Sequence, residues 1–161
     1  MGGLDHKSIG QSLFSALSAN TPIGPLTDSY PDMSIDDAYQ VSLAFLKARQ
    51  EANGETVIGK KIGVTAKPVM DMLGVRQPDF GFLTNTMWAK DGRVDTSVMI
   101  APRAEAEIAF RLKSDLTGPG VTEADVLAAT EAVAACFEIV DSRIQDWKIK
   151  IQDTIADKAA V

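Results

Sequence analysis

The sequence predicts an α+β domain in which helices come first and short strands follow. Apolar residues recur at helical spacing over residues 5–19 and again after residue 34. In contrast, residues 56–64 and 79–111 are rich in strand-forming residues and are interrupted by glycines and turn sequences. Helices and strands are therefore largely segregated along the chain, unlike the regular alternation that predicts a parallel α/β sheet.

The N-terminal part is predicted to contain two helices joined by an extended connector. The first helix rests on four apolar residues at helical spacing, namely Ile9, Leu13, Phe14 and Leu17. Residues 20–33 contain three prolines and predict the connector. The second helix begins after Ser34, an N-cap residue with the acid Asp37 three positions later, and runs to about Ala52, where Asn53–Gly54 supplies a stop.

The rest of the chain is predicted to be strand-rich with two further helices. A short helix is expected over Lys67–Leu73, before Gly74. Another begins at Thr122, with Asp125 in the acidic third position, and is expected to run to about Ala135. A compact apolar strand over Phe137–Val140 follows directly.

Composition excludes several classes of function. At 161 residues the chain fits one domain with a real core. Its net charge is −6 and its nearest approach to a basic cluster is Lys60–Lys61, so no nucleic-acid partner is expected. One cysteine, Cys136, excludes an internal disulfide, and one histidine, His6, excludes a histidine-rich metal site. With no signal peptide and no run of about 18 apolar residues, we expect a cytoplasmic protein without a membrane segment.

The segment 102–110 carries the most informative charge pattern. In a strand, alternate residues share a face, so Arg103, Glu105 and Glu107 are predicted to point the same way. Two neighbouring carboxylates repel each other unless a cation lies between them, and Mg²⁺ or Mn²⁺ suits all-oxygen ligation. A solvated charged face on a half-buried strand explains the same alternation. The pattern alone leaves both interpretations open.

Glu138 favours the metal hypothesis because it stands between apolar neighbours in a predicted core strand. A buried carboxylate needs a partner, and a metal shared with Glu105 and Glu107 is one candidate. An ion pair with Arg143 or Arg103 is the other, and the residue pattern does not decide between them.

Lys61 and Asp79 are candidates for acid–base chemistry. Lys60 and Lys61 lie in a glycine-flanked strand, so alternation sends them to opposite faces and only one is expected to point inward. An inward lysine near an anionic substrate can steer charge or transfer protons, although a surface pair is the simpler explanation. Asp79 begins a short strand after Gln77-Pro78 and either braces that turn or acts as a base.

Five motifs in order resemble the 2-oxopent-4-enoate (2-hydroxypenta-2,4-dienoate) hydratases of the fumarylacetoacetase-like superfamily. The resemblance extends from about residue 10 to Asp157, and the motifs are GKKIGVT (59–65), QPDFGFLT (77–84), PRAEAEIAF (102–110), GPGVTEADVLAATEAV (118–133) and FEIVDSRIQDWKIKIQDT (137–154). It implies a fumarylacetoacetase-like α+β fold, with an N-terminal helical part over residues 1–55. Residues 56–161 would form the first portion of a mixed, β-rich catalytic domain that is incomplete here.

The resemblance also implies a site and a reaction. Glu105, Glu107 and Glu138 would bind one Mg²⁺ or Mn²⁺, and Lys61 and Asp79 would belong to the catalytic pocket. The implied reaction adds water to 2-hydroxypenta-2,4-dienoate to give 4-hydroxy-2-oxopentanoate, in the meta-cleavage degradation of aromatic compounds. The implied metal chelates the substrate carboxylate and its 2-oxygen, as a Lewis acid. The family resemblance further implies a homo-oligomer that can associate with a 4-oxalocrotonate decarboxylase.

Two alternatives remain. The 4-oxalocrotonate decarboxylases are a sister family that shares the fold and the Glu-x-Glu site, although the acid Asp79 within PDFG favours the hydratases. The other alternative is a non-catalytic fragment or assembly subunit, because hydratases continue beyond this length. Where they read ADNAS, this chain reads Ala156-Asp157-Lys158-Ala159-Ala160-Val161.

Overall fold

The computed structural model describes residues 3–157, which contain six α-helices and four β-strands. The helices are α1 (His6–Ser18), α2 (Leu26–Ser29), α3 (Ile35–Asn53), α4 (Lys67–Leu73), α5 (Glu123–Ala129) and α6 (Ile151–Ala156). The strands are β1 (Val57–Gly63), β2 (Asp79–Thr84), β3 (Arg103–Leu112) and β4 (Thr130–Val140). The predicted α+β class is confirmed.

The chain divides into two compact units. One comprises Met1–Arg103 with Val140–Val161, of which residues 3–103 and 140–157 are described. The other is Ala104–Ile139. The predicted boundary between residues 55 and 56 stays a prediction. In the described range, none of the helices is both long enough and apolar enough to cross a membrane.

The first unit has an apolar core in which α1, α3 and α6 take part. Its fully or nearly fully buried members include Leu13, Val41, Phe45, Ile144 and Ile155. Gly10 lies where α1 meets α3, and a Cβ built on it would lie 2.7 Å from the Cβ of Ala44. A side chain there would collide with α3, so the close approach of the two helices depends on this glycine.

The predicted N-cap of α3 forms. The Ser34 hydroxyl accepts a hydrogen bond from the Asp37 backbone N–H at 3.0 Å, and the Asp37 carboxylate accepts from the Ser34 N–H at 3.0 Å. His6 on α1 places its Nε2 atom 2.7 Å from the same carboxylate. The hydrogen bond from the Ser34 hydroxyl, followed by that from His6, lowers the pKa of Asp37 to about 2.

Buried carboxylates connect α6 to the segments around it. The Asp153 carboxylate accepts from the Thr27 N–H at 3.0 Å and from its hydroxyl at 2.7 Å. The Asp157 carboxylate accepts from Nε of the fully buried Arg143 at 2.7 Å. Burial raises the pKa of Asp157, and the Arg143 guanidinium opposes this increase. Each of these carboxylates has partners, as a polar group removed from water requires.

The second unit is built on β3 and β4, which are hydrogen-bonded neighbours. The Lys113 N–H donates to the Ala129 carbonyl at 2.8 Å, and Arg111 lies 2.9 Å from the Glu131 carboxylate. Arg111 is two residues before Lys113, whereas its partner Glu131 is two residues after Ala129. The two strands therefore run antiparallel. The start of β3 therefore lies alongside the end of β4.

The structure corrects three expectations about local structure. The connector contains the short helix α2, which Pro25 precedes and whose Thr27 N–H is bound by Asp153. The helix that begins after Thr122 ends at Ala129 instead of about Ala135, and the next strand starts at Thr130. Pairing with β3 overrides the helical preference of the alanines in this segment.

The expected burial of the later strands holds only towards the end of β4, where Val140 is buried. Every residue of β3 is exposed, and Phe137 on β4, which was expected in a core strand, has 76% of its surface exposed. Lys158, Ala159, Ala160 and Val161, where the chain departs from the hydratase pattern, lie outside the described residues.

Candidate active site

Lys61 and Asp79 lie on the antiparallel pair formed by β1 and β2. Lys61 is opposite Gly81, and Gly63 is opposite Asp79. Residues opposite each other share a face, as do residues two apart on one strand. Lys61 and Asp79 are therefore diagonal neighbours on one face of this pair. The residues directly opposite Lys61 and Asp79 are both glycines, Gly81 and Gly63.

The two lysines of β1 differ as alternation predicts. Lys61 is half-buried, whereas Lys60 is exposed and its Nζ lies 5.9 Å from the centre of the Phe82 ring. Asp79 has only 4% of its surface exposed. The inward-facing lysine and the buried acid thus belong to the same side of the strand pair. An acid and a base held on one face can serve proton transfer.

Buried polar contacts anchor this strand pair at the other end. Glu55, which is 5% exposed, accepts hydrogen bonds from Arg49 of α3 at 3.0 Å and from the Thr84 hydroxyl at the end of β2 at 2.6 Å. Burial alone would raise the pKa of Glu55, but hydrogen bonds from Arg49, Thr84 and Asn53 together lower it. Glu55 therefore ties both strands to α3.

Tyr39 of α3 also contacts β2. Its ring stacks on Phe80, the residue after Asp79, with ring centres 4.7 Å apart. Burial raises the pKa of the Tyr39 hydroxyl, a hydrogen bond with the Phe80 backbone opposes this, and the charge of Asp79 adds to the increase. The sequence did not single out Tyr39, because an aromatic residue within an amphipathic helix is usually a packing residue.

Glu105, Glu107 and Glu138 form a cluster of three carboxylates, which we call the glutamate cluster. Each offers one oxygen atom, and these oxygens all lie within 4.8 Å of one another. Glu105 and Glu107 are exposed on one face of β3, and Glu138 is half-buried on β4. The antiparallel pairing explains the proximity, since it brings the end of β4 alongside the start of β3.

The donor set of the glutamate cluster fits a hard divalent cation. Two oxygens bound to one ion lie at most twice the metal–oxygen distance apart, which is about 4.2 Å for Mg²⁺ and about 5.2 Å for the longest Ca²⁺ bonds. The observed limit of 4.8 Å accommodates the longest Ca²⁺ bonds as it stands, whereas Mg²⁺ would draw the oxygens closer together. Three carboxylates brought this close also repel one another, and a cation between them removes the repulsion.

Arg143 and Arg103, the two arginines considered as partners for Glu138, both contact groups near the ends of β3 and β4. Arg143 pairs with Asp157 at 2.7 Å and lies 4.0 Å from Asp141. The Arg103 guanidinium stacks on the Trp147 ring, with its central carbon 4.2 Å from the ring centre. Sequence reasoning did not identify Trp147 or Asp141 as parts of a site. The sequence gives little indication of a role for either residue, because an acidic or aromatic residue after a strand is common.

Comparison with known proteins places the chain among hydratases. No protein-family model matches it. It is 63% identical over 154 residues to a 2-hydroxyhexa-2,4-dienoate hydratase of Comamonas testosteroni, covering 94% of this chain and 58% of that protein. It is 58% identical over 154 residues to a 2-hydroxypent-2,4-dienoate hydratase of Pseudomonas putida, covering 94% of this chain and 69% of that protein.

Solved structures of a related decarboxylase have the same fold. The 4-oxalocrotonate decarboxylase from Pseudomonas putida G7, complexed with magnesium and adipate, matches with a TM-score of 0.87 and 35% identity. The match covers 94% of this chain and 58% of that one. The same enzyme complexed with calcium and acetate matches with a TM-score of 0.85 and 34% identity. The chain thus spans somewhat over half the length of these related proteins.

Proposed function

The chain belongs to the 2-hydroxypenta-2,4-dienoate hydratase family, since it covers 69% of a member to which it is 58% identical, and we propose that the protein hydrates a 2-hydroxy-2,4-dienoate. The substrate we propose is 2-hydroxypenta-2,4-dienoate and the product is 4-hydroxy-2-oxopentanoate. The observation that carries this proposal is the glutamate cluster, whose carboxylate oxygens lie within 4.8 Å of one another. The chain spans 58% of the hexadienoate hydratase that it matches.

Glu105, Glu107 and Glu138 would hold one Mg²⁺ or Mn²⁺. Three oxygen ligands suit either ion. The related decarboxylase was solved with magnesium and with calcium, which supports a divalent cation in this family. When bound, the ion would supply Lewis-acid polarisation of the substrate's 2-oxygen. The role of the glutamates is to place and neutralise it.

Lys61 and Asp79 would share the proton transfers. The dienol first ketonises, losing the proton of its 2-hydroxyl and gaining one at C5, which moves the remaining C=C bond to C3 and C4. Water then adds across that bond, with its oxygen bonding to C4 and a proton going to C3. Both stages need a group that accepts a proton and a group that returns one. The half-buried Lys61 and the buried Asp79 share one face of a strand pair, which supports this assignment.

The 4-oxalocrotonate decarboxylases are the weaker alternative. A decarboxylase of a Pseudomonas strain is 42% identical over 139 residues, whereas the two hydratases above reach 58% and 63%. We also propose a cytoplasmic homo-oligomer that acts in aromatic catabolism and can associate with such a decarboxylase.

The test follows the dienol absorbance when the protein meets freshly generated 2-hydroxypenta-2,4-dienoate. We expect loss of absorbance and formation of 4-hydroxy-2-oxopentanoate with Mg²⁺ or Mn²⁺, and no reaction after EDTA treatment. The six-carbon homologue 2-hydroxyhexa-2,4-dienoate is assayed in parallel, because the hexadienoate hydratase is 63% identical to this chain. Release of CO₂ from 4-oxalocrotonate with no hydration would favour the decarboxylase. A folded, metal-binding protein without turnover on any of the three would refute the enzymatic proposal.

A further inference from the structure

The segment that leads into β3 is held by two side chains that the proposed reaction does not use. The Asp141 carboxylate accepts from the Ile100 N–H at 3.0 Å and from the Ala101 N–H at 2.6 Å. The Trp147 indole N–H donates to the Ala101 carbonyl at 3.0 Å. Residues 100 and 101 are thus bound through three of their backbone groups, shortly before β3 begins at Arg103.

Asp141 also follows directly after β4, which ends at Val140. It stands three residues after Glu138, and Ala101 stands four residues before Glu105. One buried carboxylate, 5% exposed, therefore joins the chain leaving β4 to the chain leading into β3. These are the ends of the two strands that carry the glutamate cluster. A slip of one residue between paired strands would turn the side chains to the other face.

Trp147 is held in place at a cost in backbone energy. Both Asp146 and Trp147 have left-handed backbone angles, with φ of 57° and 55°. For a bulky residue such as tryptophan this conformation is unfavourable and persists only where surrounding contacts enforce it. Its indole ring lies beneath the Arg103 guanidinium at 4.2 Å and its N–H holds Ala101. The strained turn thus serves to aim one side chain at the start of β3.

We propose that Asp141 and Trp147 are positioning residues of the glutamate cluster, which set the register of Glu105 and Glu107 against Glu138. The inference rests on the proposed function, since it assumes that the cluster binds a divalent cation. A carboxylate is needed at position 141 because two backbone N–H groups face it, and each of its oxygens accepts from one of them. An amide would place an NH₂ donor against an N–H donor.

The experiment measures Mn²⁺ affinity by electron paramagnetic resonance in Asp141→Asn, Trp147→Phe and a matched control, Asp153→Asn. Asp153 is also a buried carboxylate that accepts from a backbone N–H, but its partner Thr27 belongs to α2. The control removes the same charge and the same kind of hydrogen bond. We expect about tenfold weaker Mn²⁺ binding in D141N and W147F, as for loss of a group that orients metal ligands. D153N should bind Mn²⁺ like the wild type at a lower melting temperature.

The outcomes separate this inference from the proposed function. Equal Mn²⁺ affinity in the wild type, D141N and W147F would overturn the positioning role and leave the metal centre intact. Equal weakening in D153N would overturn it too, since a general loss of stability would then explain the effect. Absence of Mn²⁺ binding by the wild type would overturn the metal centre itself, and this inference with it. If D141N fails to fold, W147F decides, because it removes the indole N–H donor and leaves a smaller aromatic ring beside Arg103.

Discussion

The two units of the chain differ in which side chains they bury and which they expose. The first unit buries Leu13, Ile144 and Ile155 almost completely and encloses the ion pair of Arg143 with Asp157. In the second, Ile108 and Phe137 are 64% and 76% exposed. Its most distinctive feature is the glutamate cluster. The comparison predicts that substitutions in the apolar core of the first unit change stability, whereas substitutions of the exposed glutamates of the second unit change metal binding.

The largest effect is expected for Asp79→Asn. If Asp79 takes part in proton transfer, the amide should lower kcat for dienoate hydration by about 10²- to 10⁴-fold, the usual contribution of a general acid or base. The measurement is the rate of dienol loss at saturating metal. Asp71→Asn is the matched control, since Asp71 is exposed and pairs with Lys67 and Arg76. Full activity in D79N would refute the role of this residue.

Glu107→Gln tests whether a substitution in the second unit changes metal binding without changing stability. Loss of a carboxylate from the glutamate cluster should weaken Mn²⁺ binding by at least the roughly 10- to 100-fold that loss of an outer-shell partner causes. Because Glu107 is exposed, the free energy of unfolding should change by less than about 0.5 kcal/mol. Calorimetric titration and thermal unfolding measure the two quantities. Glu131→Gln, on β4 beside Arg111, should change neither, and a large loss of stability in E107Q would contradict the separation.

Gly10→Ala tests whether a substitution in the first unit changes stability without changing metal binding. The added methyl group would lie 2.7 Å from the Ala44 Cβ, so α1 and α3 must move apart. Such overpacking typically lowers the free energy of unfolding by about 1–3 kcal/mol. Urea unfolding gives the value, with Gly24→Ala as the control because no heavy atom lies within 4 Å of its added Cβ. We expect Mn²⁺ affinity to be unchanged, and unaltered stability would show that the helices do not depend on Gly10.

The smallest effect is the acid sensitivity of the contact between α1 and α3. The pKa of Asp37 is lowered from 3.8 to about 2 in the folded protein. A depressed folded-state pKa adds stability that is fully present above 3.8 and is lost as the pH falls through 2. Asp37→Asn should therefore be less stable than the wild type at pH 5, and the difference should shrink between pH 4 and pH 2. Parallel stability profiles of the two proteins over this range would exclude this contribution.

Interactions between near neighbours could be predicted from the sequence. Ser34 with Asp37 and Thr122 with Asp125 form the predicted capping boxes, because a cap involves groups only three residues apart. The period of two likewise predicted that Lys60 and Lys61 would face opposite ways. The same rule gave Glu105 and Glu107 one face of β3. The residue pattern had already made Glu138, Lys61 and Asp79 candidates, the resemblance to hydratases assigned their catalytic and metal-binding roles, and these roles stay predictions.

What the tertiary structure decided lies between residues distant in sequence. β4 begins at Thr130 because β3 supplies its hydrogen-bond partners, whereas the local sequence favours a helix to about Ala135. The pairing of these strands also brings Glu138 within reach of Glu105. Asp141 shows the same limit, since the two backbone N–H groups that donate to it lie 40 and 41 residues away. The local residue pattern determines which secondary structure a segment prefers in isolation. Contacts between distant residues depend instead on which segments the whole fold brings together.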